Sequence, residues 1–122
     1  MFLGIDLGTS GVKSILMDDA QQLVGEASSR PLDVTRRQPG WSEQDPELWW
    51  LAVCETLDAL SAEFASEMSA VEGIGLSGQM YGATVLDASD RPLRPAILWN
   101  DTRSGAECDD LMREIPELVS YV

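Results

Sequence analysis

One short stretch near the amino terminus constrains this chain more than any other. Phe2 to Leu7 and Val12 to Met17 are largely apolar runs, and between them lie Gly8, Thr9, Ser10 and Gly11. Two such runs around a glycine-bounded turn predict a β-hairpin. Glycines let the backbone turn tightly and bring its N–H groups close to an anion, while Thr9 and Ser10 add hydroxyl donors and Lys13 a point charge suited to phosphate. Asp6, near the end of the first run, repels phosphate and suits Mg²⁺ instead, held through oxygen or water. The turn chemistry is equally met by a glycine-rich surface hairpin that binds nothing. No G-x-x-x-x-G-K-[ST] spacing occurs here, so this is not a Walker A loop.

The rest of the chain narrows the chemistry. With 122 residues it fits one domain. A net charge of −13 argues against nucleic acid and anionic membrane as partners, because both are held mainly through Lys and Arg. Histidine is absent, which removes Ser-His-Asp and Cys-His catalysis and histidine metal sites. Cys54 and Cys108 form no C-x-x-C pattern, and no stretch resembles a signal peptide or membrane span; a reduced, cytoplasmic setting is expected.

Along the chain, Met17 to Gln22 is polar enough to turn, and Leu23 onward predicts a third strand reaching about Val34. Arg36 to Ser42 reads as a loop around Pro39-Gly40. Asp45-Pro46-Glu47 then reads as a helix start, with Asp45 as cap and Pro46 at the first helical position. Trp49, Val53, Leu57, Leu60 and Phe64 make one helical stripe, so the helix is expected to run to about Ser66 and pack on the sheet. Val71 to Leu76 and Ala83 to Leu86 read as strands around the bend Ser77 to Gly82. Within it, Gly73 to Gly78 fits G-x-G-x-x-G by letter, but no helix pattern follows and the dinucleotide reading is discarded. Asp87 to Pro92 is a turn whose form echoes the Asp18 turn. Pro95 to Trp99 predicts a short strand, Ser104 to about Ile115 a helix ended by Pro116, and Glu117 to Val122 carries no closing signal.

Three polar clusters thus fall at ends of predicted strands: Asp6 with its turn, Gln79-Met80-Tyr81, and Trp99 to Arg103. Each alone fits a solvated loop; together they suggest one cleft. Gly4-Ile5-Asp6-Leu7-Gly8-Thr9-Ser10-Gly11-Val12-Lys13, Trp41-Ser42-Glu43-Gln44-Asp45-Pro46-Glu47 with Trp49-Trp50, Ser77-Gly78-Gln79-Met80, and Arg94 to Asp101 resemble, in order, the FGGY carbohydrate kinases. The resemblance implies an α/β fold, an actin-like ATPase or ribonuclease H-like domain whose mixed sheet starts with an antiparallel meander and has helices packed on it. Residues 1–122 would form the amino-terminal part of the first, sugar-binding domain. It also implies transfer of the ATP γ-phosphate to a small ketose with Mg²⁺, and admits a homodimer. By resemblance, Asp6 is the catalytic and metal-holding carboxylate, and Gly8, Thr9, Ser10 and Lys13 lie against phosphate. Met80 and Tyr81 sit against the sugar, with Gln79, Trp99 and Asp101 in the same pocket. Where the family pattern has Met-His, this chain has Met80-Tyr81, which keeps a hydrogen-bonding tip but changes reach. The family's catalytic Asp base and second domain are expected outside these residues, leaving the chain inactive alone. A non-catalytic sugar-binding or assembly module and, more remotely, an actin-like structural protein are the competing readings.

Overall fold

A computed structural model describes residues 1–117. The expected absence of a closing element falls mainly on residues 118–122, outside the described residues. The hairpin forms as β1 (Phe2–Leu7) and β2 (Val12–Met17), and β3 (Leu23–Ser28) completes an antiparallel meander. After α1 (Pro46–Glu63) and α2 (Ala65–Ser69), β5 (Gly73–Gly78) returns parallel to β1, giving a mixed sheet of order β3-β2-β1-β5. A second, two-stranded sheet pairs β4 (Glu43–Gln44) with β6 (Ala96–Ile97), and α3 (Gly105–Glu114) follows.

The core lies between α1 and one face of the larger sheet. Leu3 and Ile5 of β1 and Val12 and Leu16 of β2 meet Ala52 and Leu60 of α1, flanked by Val53, Leu57 and Phe64. Asp45 caps the helix by accepting from the Glu47 N–H, and Pro46 occupies its first turn. A polar pair crosses this core, Ser14 Oγ and Thr56 Oγ1 at 2.7 Å. Thr56 spends its own hydroxyl proton on the Val53 carbonyl at 2.8 Å, so Ser14 is the donor.

The helix stops at Glu63 rather than about Ser66, because Phe64 leaves helical geometry (φ −123°) and turns its ring against Gly25 of β3. A Cβ on Gly25 would come within 2.5 Å of that ring. Gly25→Ala is therefore expected to cost about 1–3 kcal/mol, as overpacked core sites do. A lower urea midpoint at unchanged slope is the expected result; an unchanged midpoint would show that the ring yields freely.

Four strands differ in extent from expectation: β5 starts at Gly73 rather than Val71 and runs through Ser77 and Gly78 of the expected bend, β6 keeps only Ala96–Ile97 of the Pro95 to Trp99 run, and two more depart further. β3 ends at Ser28, not near Val34, because its partner β2 begins at Val12, opposite Ser29, and the Ser29 hydroxyl takes the Val12 N–H in place of a ladder bond. Ala83 to Leu86 makes only single bridges, Ala83 to Ile97 and Leu86 to Pro92, where a proline blocks propagation. The Asp18 and Asp87 turns are built alike: each carboxylate accepts two backbone N–H groups, and Gln21 and Asp90 take the left-handed conformation (φ 61° and 59°). No helix among the described residues is long and apolar enough to cross a membrane.

Candidate functional site

The turn between β1 and β2 is held from behind. Gly8 N–H closes it on the Gly11 carbonyl at 3.0 Å, the Ser10 carbonyl accepts from Leu32 N–H at 2.9 Å, and the Thr9 carbonyl accepts from Gln44 Nε2 at 2.7 Å. In a planar trans peptide the C=O and the following N–H point opposite ways. With the Thr9 and Ser10 carbonyls drawn into the protein, the N–H groups of Ser10 and Gly11 are turned outward. That is the donor pair an anion needs.

Gln44 is 2% exposed and its amide can lie only one way round. A carbonyl only accepts and an indole N–H only donates. Nε2 must therefore face the Thr9 carbonyl, and Oε1 accepts from Trp49 Nε1 at 3.0 Å and from Gln79 Nε2 at 3.3 Å. Gln79 Oε1 accepts from the Thr9 hydroxyl at 3.0 Å, and that hydroxyl oxygen accepts from Trp99 Nε1 at 3.2 Å. Thr9, Gln79 and Gln44 form a closed ring of hydrogen bonds at the carboxyl ends of β1 and β5, with Trp99 attached.

Beneath the ring lies an ionic clamp. Arg103 reaches Asp101 at 2.6 Å and Glu43 at 3.0 Å, stacks on Trp41 with its guanidinium carbon 3.7 Å from the ring centre, and Arg94 also pairs with Glu43. Asp101 is buried and also accepts from the Ser42 N–H at 2.6 Å. The Arg103 hydrogen bonds hold its carboxyl well below the ordinary carboxylate range, against an opposing push from burial. For Glu43 burial pushes upward most strongly, yet the bonds and charges of Arg103 and Arg94 together outweigh it and the net shift is downward. The clamp ties the Trp99 to Arg103 segment to Trp41 to Gln44, and so fixes both Gln44 and Trp99 against the turn.

Of the residues singled out from sequence, Thr9, Gln79 and Trp99 are thus brought together. Ser10 and Gly8 stand in the same turn. Met80 and Tyr81 lie on the exposed bend after β5, and Tyr81 holds a left-handed backbone (φ 61°), a strained choice for an aromatic residue. Asp6 is exposed on the sheet face away from α1, in a hollow of about 500 Å³ shared with Lys13, Ile15, Gly75 and Ser77. Lys13 lies across from it in register but extends to Glu26 at 2.7 Å. Asp101 has both oxygens engaged by Arg103 and Ser42. Sequence reasoning places Arg103 in the Trp99 to Arg103 cluster without a role of its own and leaves Gln44 and Glu43 out of the cleft; a glutamine and a glutamate inside an aromatic stretch leading into a capped helix are the signal that could have found these two.

Among the described residues no cluster of three His, Cys, Asp or Glu could cage a metal. Mg²⁺ does not require one, since it keeps several waters and takes one or two carboxylates alongside phosphate oxygens. Asp6, an exposed carboxylate in the hollow it shares with Lys13 and Ser77, is a single ligand of that kind.

The chain matches the N-terminal domain of the FGGY family of carbohydrate kinases over residues 1–121. It is 49% identical over 117 residues to the xylulose kinase of Escherichia coli K12, covering 96% of this chain and 24% of that protein. The crystal structure of a xyloylose kinase from Brucella ovis superposes with a TM-score of 0.88 at 59% identity, covering 92% of this chain and 23% of the other. The xylulose kinase of Rhodospirillum rubrum superposes with a TM-score of 0.86 at 32% identity, over 92% and 23%. The chain therefore spans about a quarter of the length of the relatives it matches. The mixed sheet with its packed helices is the actin-like ATPase architecture of these kinases, present as part of an N-terminal domain. On sequence and fold alike, the chain belongs to the FGGY family of carbohydrate kinases.

Proposed function

We propose that these residues supply the phosphate turn and part of the sugar pocket for ATP-dependent phosphorylation of a small ketose, D-xylulose to D-xylulose 5-phosphate. The observation that carries this reading is the hydrogen-bonded ring joining Thr9 of the turn to Gln79, next to Met80 and Tyr81. Phosphoryl transfer depends on positioning and charge stabilisation more than on covalent chemistry by the protein. Ser10 and Gly11 N–H groups bind phosphate oxygens, with Gly8 shaping the turn and the Thr9 hydroxyl aligned beside it. Lys13 can exchange its exposed Glu26 partner for phosphate at little cost, because such surface pairs are weak. Asp6 would hold Mg²⁺, which when bound would offset charge on the phosphates. Met80 and Tyr81 cover one side of the sugar, Gln79 and Trp99 another, and Asp101 acts by holding its segment in place.

The hydroxyl oxygen of the ketose attacks the γ-phosphorus, ADP leaves, and the hydroxyl proton passes to a carboxylate. By the family resemblance, that carboxylate and most of the nucleotide pocket are supplied from outside residues 1–122. ATP use and two cysteines in no disulfide fit a cytoplasmic setting. The test is a full-length protein assayed with ATP, Mg²⁺ and a panel of ketoses and polyols. ADP release that depends on D-xylulose is expected; ADP release indifferent to every sugar refutes the proposal.

A further inference from the structure

Gln44 belongs to neither the turn nor the sugar bend, yet it touches both. Its buried amide uses one N–H on the Thr9 carbonyl and its oxygen on Trp49 and Gln79. The Thr9 carbonyl fixes which way the Thr9–Ser10 peptide plane is turned, and hence where the Ser10 N–H points. Trp49 in turn anchors Gln44 to the first turn of α1, a rigid support rather than a loop. We infer that Gln44 is a positioning residue for phosphate binding: its Nε2 holds the Thr9–Ser10 peptide with the N–H outward, while its Oε1 keeps the turn in register with Gln79.

This rests on the kinase reading above and makes a prediction separable from it. Gln44→Glu keeps an oxygen for Trp49 and Gln79 and removes only the donor to Thr9. It sets a carboxylate against a carbonyl in a buried place, where burial raises the carboxyl's pKa. Protonation then restores an O–H donor toward Thr9. In the full-length protein, Gln44→Glu is expected to raise the Kd for MgADP about tenfold at pH 8, the factor that losing one well-placed hydrogen bond corresponds to. At pH 5.5, relative to the unmodified protein at the same pH, the loss should shrink to within about threefold, with D-xylulose affinity unmoved at both. A weakening that is equal at both pH values, or no weakening at either, overturns the inference, because a purely structural role has no reason to recover with acid.

Should Gln44→Glu fail to fold, Trp49→Phe removes the indole N–H that anchors the amide, together with part of the ring's bulk at a half-buried position. It should raise the MgADP Kd about two- to fivefold, as losing one neutral hydrogen bond does, again without moving D-xylulose affinity; an unchanged MgADP Kd overturns the inference. Lack of sugar-dependent turnover by the unmodified full-length protein sinks the kinase reading instead, and the MgADP measurements still decide the role of Gln44.

Discussion

Asp6→Asn in the full-length protein is expected to lower kcat at least about a hundredfold while leaving ketose affinity nearly unchanged. The substitution keeps size and shape and removes one negative charge. Asp6 is exposed at the end of β1 and outside the core, so the fold has little to lose. On the proposed reading, what disappears is the carboxylate that would hold Mg²⁺ beside the phosphates, and charge stabilisation of that kind is worth several kcal/mol, about 1.4 for each tenfold in rate. The split between kcat and KM is the decisive readout. A raised sugar KM at unchanged kcat would contradict the assigned role, and a large fall in the unfolding midpoint would move Asp6 from chemistry to structure.

Arg103→Met is expected to lower the thermal midpoint by about 5 °C or more, since it strips the shared cation from two buried carboxylates while keeping a long apolar stem over Trp41. Arg103→Lys should rescue little of this loss. A lysine point charge cannot address Asp101 and Glu43 with separate N–H groups and stack on an indole at the same time. The pH dependence supplies a further check. Asp101 and Glu43 have folded-state pKa values below their ordinary ones, so their stabilisation is complete above the unfolded values, near pH 4, and is lost as pH falls below them. The gap in midpoint between the unmodified protein and Arg103→Met should be full at pH 7 and narrow toward pH 3. A gap that stays constant across that range would assign the loss to packing on Trp41 rather than to charge.

Much of the fold follows from local pattern. Apolar runs around Gly8 and Gly11 place β1 and β2 to the residue, and the Asp45 cap with Pro46 places the start of α1. The stripe from Trp49 to Phe64 identifies the buried side of that helix; of its most buried row, Leu60 belongs to the stripe, while Ala52 and Thr56 lie just beside it. Less legible is whatever depends on partners distant in sequence. Nothing in Gly73 to Gly78 announces a parallel pairing with β1, and nothing in Ala83 to Leu86 announces that it would make only single bridges.

The site divides the same way. Asp6, Gly8, Thr9, Ser10 and Lys13 are nearly contiguous and can be read as a unit. Gln44 and Arg103 act across 35 and 60 residues, through side-chain geometry that no spacing rule encodes. Asp101, at a strand end, reads from sequence as one more sugar-binding residue. Its engagement with Arg103 two residues on, and with the Ser42 amide far back, emerges only when the segments meet.

The position of β5 has a practical consequence. In the sheet order it comes last, and Ile74 and Leu76 on it are 63% and 80% exposed. Such a margin is a template: any extended segment with alternating apolar residues can zip onto it. Handled apart from neighbouring sequence, these residues would be protected chiefly by mutual repulsion between molecules carrying a charge of −13. Salt screens that repulsion, so concentrated brine is the condition under which self-association through β5 would begin.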